Sequence, residues 1–145
     1  MEDYKLYEEK LKKNKKRNER YINEFEEWLN GKNLVKETIQ KHLNNVDLYI
    51  NDYLNYCDIN MMEDGAHMVY SFLGGWFIEK CLWATKSSIK ETAASIKKFY
   101  QCMSEKKYIS DKDYKSLCDE LKNGMDDFLD LVEKFDNGTY YDMFN

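Results

Sequence analysis

Residues 36–56 read KETIQKHLNNVDLYINDYLNY. Ile39, His42, Leu43, Val46, Tyr49, Ile50, Tyr53 and Leu54 each have a partner three or four residues away. A half-buried strand would alternate with period two, whereas steps of three and four put these residues on one face of a helix. The stretch is the most regular in the chain, and it sets the expectation of an all-α protein.

The segments on either side follow the same period. Upstream, a first helix is predicted from about residue 3 to residue 30. Its second half carries Tyr21, Ile22, Phe25, Trp28 and Leu29 on one stripe, and Gly31 supplies a stop. Residues 12–20 contain no large apolar side chain. They are expected to project from the core, to lie on its surface, or to fray. Downstream, residues 57–65 read as a connector, with Asp64-Gly65 as a turn signal.

A third helix is predicted from near Ala66, with Met68, Val69, Phe72, Leu73, Trp76, Phe77, Cys81 and Leu82 on its apolar side. Gly74-Gly75 interrupts it. Two glycines cost a helix about 2 kcal/mol relative to alanine, so a second helix is expected to cross closely there. Ser88-x-x-Glu91 reads as a capping box opening a fourth helix. Its stripe is Ile89, Ala93, Ile96, Tyr100 and Met103, with Phe99 beside it. Ser110-x-x-Asp113 opens a long fifth helix carrying Tyr114, Leu117, Cys118, Leu121, Met125, Phe128, Val132 and Phe135. Asn137-Gly138 ends it. No repeat and no linker divides the chain. The expectation is one domain over 1–145: a charged helical extension (1–20), a compact bundle of four to five helices (21–136) and a tail (137–145).

Composition agrees. Hydrophobic residues at 43% and charged residues at 34% are globular proportions rather than disordered ones. There is no proline, and there are only six glycines, so helix breakers are scarce. The four cysteines, Cys57, Cys81, Cys102 and Cys118, form no C-x-x-C pair. Without a signal peptide, free thiols in the cytoplasm are expected, with Cys81, Cys102 and Cys118 buried as small hydrophobes. The apolar runs are too short for a membrane span, so no membrane partner is expected.

The residues give catalysis little to work with. His42 falls on or beside the buried stripe of the second helix and is expected to be a satisfied boundary residue. His67 is expected to be exposed. Neither lies in a nucleophile or zinc motif. The adjacent pairs Glu63-Asp64 and Asp126-Asp127 diverge by about 100° around a helix, poor geometry for a shared proton or metal. Phosphate-binding and dinucleotide loops are absent from the sequence. The expectation is no enzyme, no cofactor and no metal.

Charge is the informative feature. Residues 10–20 hold seven positive charges and one negative, a net +6, which leaves −11 on the rest of a chain whose formal net charge is −5. Three readings stand. The run is a solvated face balanced by Glu8, Glu9, Glu19 and Glu24; or it contacts phosphates; or it meets the acidic side of the fifth helix (Asp119, Glu120, Asp126, Asp127, Asp130, Glu133) in this or another copy.

A resemblance bears on the choice. FEEWLNGKNLVKETIQKHLNNVDLYINDYLNY (25–56) resembles the opening of the core-binding domain of tyrosine recombinases of the phage-integrase kind. The residues that carry it are Trp28-Leu29 at the end of one helix and Thr38-Ile39 at the start of the next. The fourth helix resembles a later helix of the same domain, through its capped start, Phe99-Tyr100 and the turn into Ile109. The similarity spans roughly 21–109, mostly at core positions. The whole chain looks like small bacterial proteins built around this domain, some of whose relatives carry a cysteine-rich SEC-C tail that this chain lacks. Val35 stands where a small hydroxyl residue usually caps the second helix, and Asn33 is the alternative cap.

The resemblance implies a SAM-like bundle with an extended N-terminal helix and a long C-terminal helix, gripping duplex DNA as half of a clamp. The recombinase catalytic domain is absent: Arg17 and Arg20 are the only arginines, and both sit in the basic run. Expected phosphate contacts are Lys36, Lys41, Lys86, Lys90, Lys97 and Lys98, with Lys12, Lys13, Lys15, Lys16, Arg17 and Arg20 from the run. The alternative is a protein-interaction or self-associating module that kept the fold with its charge reversed, docking through the tail aromatics Tyr140, Tyr141 and Phe144.

Overall fold

The computed structural model describes residues 2–140. They form helices joined by turns and short loops, with no strand among them. Helix α1 is Glu2–Asn30, and α2 is Lys36–Asp47 continued by a π-helical turn, Leu48–Tyr53. A short 3-10 segment, Met62–His67, leads into α3 (69–80), whose middle, Phe72–Trp76, is also π-helical. Helices α4 (Lys86–Glu105) and α5 (Asp111–Asp136) complete the bundle.

The predicted stripes form the core. Tyr21, Phe25 and Leu29 of α1 meet Ile39, Leu43, Val46, Tyr49 and Ile50 of α2 and Ile89, Ile96, Phe99 and Tyr100 of α4 in one buried cluster. Helix α4 is central and packs on α1, α2 and α5. The ring of Phe25 stands edge-on to Phe99, with centroids 5.3 Å apart. Two buried tyrosines clamp the 3-10 segment: Tyr49 Oη donates to Gly65 O at 2.6 Å, and Tyr100 Oη donates to Met62 O at 2.7 Å. Gly65 has to be glycine, because a Cβ there would collide with the Tyr100 hydroxyl.

The close crossing at the glycine pair is real at one of the two positions. A Cβ on Gly74 would stand 3.4 Å from Phe128 of α5, while one on Gly75 would meet nothing within 4 Å. The helix accommodates the pair by widening to a π turn rather than by breaking.

Several local expectations need correction. The cap of α4 is Thr85, not Ser88. Thr85 Oγ1 accepts from Ser88 N at 3.0 Å and Ser88 Oγ accepts from Thr85 N at 2.8 Å, so the reciprocal box lies three residues earlier. Ser110 does cap α5, accepting from Asp113 N at 3.0 Å. Val35 is the N-cap of α2 without a side-chain bond, and Asn33 is no cap; it takes the left-handed backbone of the turn, φ 59°. Leu82 is not on the stripe of α3, which stops at Lys80, and it is fully exposed. Tyr140 is not exposed. It is buried against Phe135, with ring centroids 5.4 Å apart. Tyr141 and Phe144 lie outside the described residues.

Candidate nucleic-acid interface

From Asn14 on, the basic segment of α1 lies on the surface of the bundle, whereas residues 2–13 include no buried side chain. Asn14, Asn18, Tyr21, Phe25 and Leu29 share one phase of the helix, and all five are buried. The apolar stripe of the second half is thus continued by two amides. Asn14 Nδ2 donates to Asn55 Oδ1 at 2.9 Å and to Asn60 O at 3.0 Å. Asn18 Nδ2 donates to Asn51 Oδ1 at 2.8 Å and to Ile50 O at 3.1 Å. The acceptors stand at the π-helical end of α2 and in the loop beyond it, where helical pairing of carbonyls gives out.

Docking in this way leaves one flank of α1, beside the buried phase, at the surface. Lys13, Lys16, Arg17 and Arg20 recur at steps of three, one and three, so they form one row, and they line a surface groove of about 380 Å³. Arg17 is the most fixed. Its guanidinium is half-buried and donates from Nη2 to Met61 Sδ at 3.2 Å and Asn14 Oδ1 at 3.5 Å. The Arg20 guanidinium lies 5.4 Å from the centroid of the Tyr21 ring.

The ion pairs among the described residues are His67–Asp113, Lys86–Glu133 and Lys134–Asp130, so the row holds none. Glu24, one turn beyond Arg20, is engaged instead by the Tyr108 hydroxyl at 2.9 Å. Lys12 and Lys15 are exposed on another side of α1. The Asp52 carboxyl is pushed up by burial first and by Asp47 second, with the charge of Lys15 opposing both.

The lysines expected on α2 and α4 do not join this row. Lys36 and Lys41 are exposed on α2. Lys86 is held by Glu133 Oε2 at 3.1 Å. Lys90 and Lys97 line a separate groove of about 380 Å³ with Lys122 of α5, over an apolar floor that includes Ala93, Leu121 and Met125. Lys98 stands on the α2 side, near enough to His42 to depress its pKa. The twelve expected contacts are therefore split by the packing into groups with different neighbours.

The histidines behave as boundary residues. His42 Nδ1 lies 2.7 Å from Ser95 Oγ, and its pKa is lowered by burial and then by Lys98. His67 is exposed, with Nε2 3.1 Å from Asp113 Oδ1. Cys81 and Cys102 are buried free thiols, and burial pushes each up to about 11. Cys118 is half-buried and Cys57 is exposed. Among the described residues no group of His, Cys, Asp or Glu is placed to hold a metal ion, and no helix is long and apolar enough to cross a membrane.

Two features escaped the sequence reading. One is the amide docking of α1. Its signal was present, since Asn14 and Asn18 fall in phase with Tyr21 and Phe25, but asparagine does not register on a hydropathy pattern. The other is a cluster of rings, Tyr53, Tyr56 and Trp76, lining a cleft. No protein-family model matches the chain, and no curated protein and no solved structure matches it either.

Proposed function

We propose that this chain is a non-catalytic helical module that binds duplex DNA through the phosphates, with the row Lys13, Lys16, Arg17 and Arg20 as the main contact. The observation that carries the reading is the state of that row. It is mounted on a docked helix, Lys13, Lys16 and Arg20 are exposed beside a half-buried Arg17, and no described carboxylate forms an ion pair with it. From residue 13 to residue 20 the helix axis advances about 10.5 Å, the axial rise of about three successive phosphates on one strand. The likeness to the recombinase core-binding domain supports the same reading. The row shifts the weight of the contact from the second and fourth helices, where the likeness would put most of it, to the first.

Binding of this kind is salt-sensitive, because each neutralised phosphate releases a counterion. Four contacts predict that affinity for duplex DNA falls about a hundredfold between about 50 and about 200 mM salt. A fluorescence-anisotropy titration measures this. Changing Lys13, Lys16 and Arg20 to Ala should flatten the salt dependence, while changing Lys90 and Lys97 should leave most of it. Absence of binding at micromolar protein in low salt would overturn the proposal.

The second reading, a protein-interaction module, is favoured by one feature. Leu82 is fully exposed and Trp83 is 58% exposed at the turn between α3 and α4. Light scattering after size exclusion tests self-association: a dimer that Trp83→Ala dissolves supports it, and a monomer at all concentrations counts against it.

A further inference from the structure

The end of α2, the loop after it and the middle of α3 enclose a cleft of about 440 Å³. It is distinct from the cation row and does not depend on the DNA reading. Three rings wall it. The Tyr53 ring lies 5.6 Å from that of Trp76 at an interplanar angle of 63°, and the Tyr56 ring lies 5.8 Å from Trp76 at 72°. Both tyrosines stand steeply to the indole, so these pairs offer no parallel slot of the kind a nucleobase needs in order to stack. The pairs are edge-to-face, and Phe72 stacks on Trp76 at 5.8 Å and Tyr49 on Tyr53 at 5.6 Å; a ring face left open to the cleft suits a cation instead, because it presents the negative part of its quadrupole.

The charges point the same way. Asp58 and Glu79 line the cleft and would repel a phosphate or a carboxylate. Among the described residues the one cation lining it is Lys80, whose ammonium lies 5.5 Å from the centroid of the Tyr56 ring. The chain thus already places an ammonium of its own on one of the walls. The loop is held in place: Asn60 Nδ2 donates to Leu54 O at 3.0 Å and to Asp58 O at 3.4 Å, and the carbonyl of Asn60 accepts from Asn14.

We propose that this cleft binds an alkylated ammonium group against Tyr53, Tyr56 and Trp76, with Asp58 and Glu79 balancing its charge and the Lys80 side chain displaced. A methylated ammonium fits better than a bare one, because its apolar shell sheds water at little cost while its charge remains for the rings. Such a group could be carried by a small choline-like molecule or by a methylated lysine side chain.

The test is a titration of the full chain followed by the indole NMR signal of Trp76, assigned with Trp76→Phe. Choline chloride and N-acetyl-trimethyllysine amide are the two ligand arms, with sodium chloride holding ionic strength constant. Saturable shifts at Trp76 are expected, and the tighter arm identifies the source. Tyr56 is 54% exposed, so Tyr56→Ala should leave the fold intact and weaken binding about tenfold. Tyr56→Phe should keep it, and Lys80→Ala should tighten it by removing the internal competitor. Three results would overturn the proposal: no saturable shift in either arm with wild type and Lys80→Ala, equal affinity in Tyr56→Ala, or equally tight binding of the uncharged isostere 3,3-dimethylbutanol.

Discussion

The two halves of α1 lie on the same bundle by different physics. From Tyr21 to Leu29 the helix is held by apolar side chains, with Phe25 and Leu29 shut off from solvent altogether. From Asn14 to Asn18 it is held by amide hydrogen bonds, although both asparagines are just as buried, at 1% exposed each. Apolar contact is favourable wherever water is excluded and demands little of direction. An amide gains little on net burial and loses heavily if its partners are missing. The first half is therefore the conditional part: its position depends on carbonyls and amides at the end of α2 being where they are. Unpartnered buried atoms occur in both halves: Asn18 Oδ1 and Arg17 Nε in the first, Glu24 Oε2 in the second.

The largest test breaks the apolar half. Phe25→Ala empties a site in the middle of the core and should cost about 3–5 kcal/mol in chemical denaturation. The loss should be global, seen equally by every probe. Next is the polar half. Asn18→Ala leaves Ile50 O and Asn51 without this partner and should cost about 1–3 kcal/mol. Here hydrogen exchange should show amides before residue 18 opening well ahead of the rest. Equal protection along α1 in this variant would show that the two halves are one cooperative unit.

A third polar contact sharpens the comparison because its position was legible. His42 has its pKa lowered in the folded state, so below the ordinary imidazole value of about 6.5 the unfolded chain takes up more protons. Stability should therefore fall as pH drops through that value and level off below the folded-state pKa. His42→Gln should flatten this part of the pH profile. The smallest expected change in stability is at the row itself. Lys13→Ala and Lys16→Ala remove exposed charges with no ion pair and should alter stability by no more than about 0.5 kcal/mol. Their whole effect should fall on DNA affinity and its salt slope.

How much of this could be read from the chain follows from the same contrast. The stripes of α2, α4 and α5 were legible, because burial selects apolar side chains at helical spacing. The cap at Ser110 was legible for a similar local reason. The cap of α4 was misassigned because Ser88 and Thr85 are both competent, and only the path of the turn after α3 decides between them. Leu82 was misplaced because its phase fits a helix that ends before reaching it. The cation run was visible, but not which of its members share a face with the groove, since that depends on which side of α1 the asparagines turn inward.

The sequence by itself determined an all-helical chain, five amphipathic segments and a concentration of positive charge near the start. Hydropathy period and charge count are properties of neighbours along the chain, so they survive without a structure. Tertiary packing alone decided that the charged segment is docked from Asn14 on, and that Lys13, Lys16 and Arg20 stand exposed in one row with a half-buried Arg17. It also decided that Tyr53 and Tyr56 of one segment meet Trp76 of another around a cleft. These are contacts between residues distant in sequence, whose partners are set by the crossing of helices and by hydrogen bonds whose direction no linear pattern encodes.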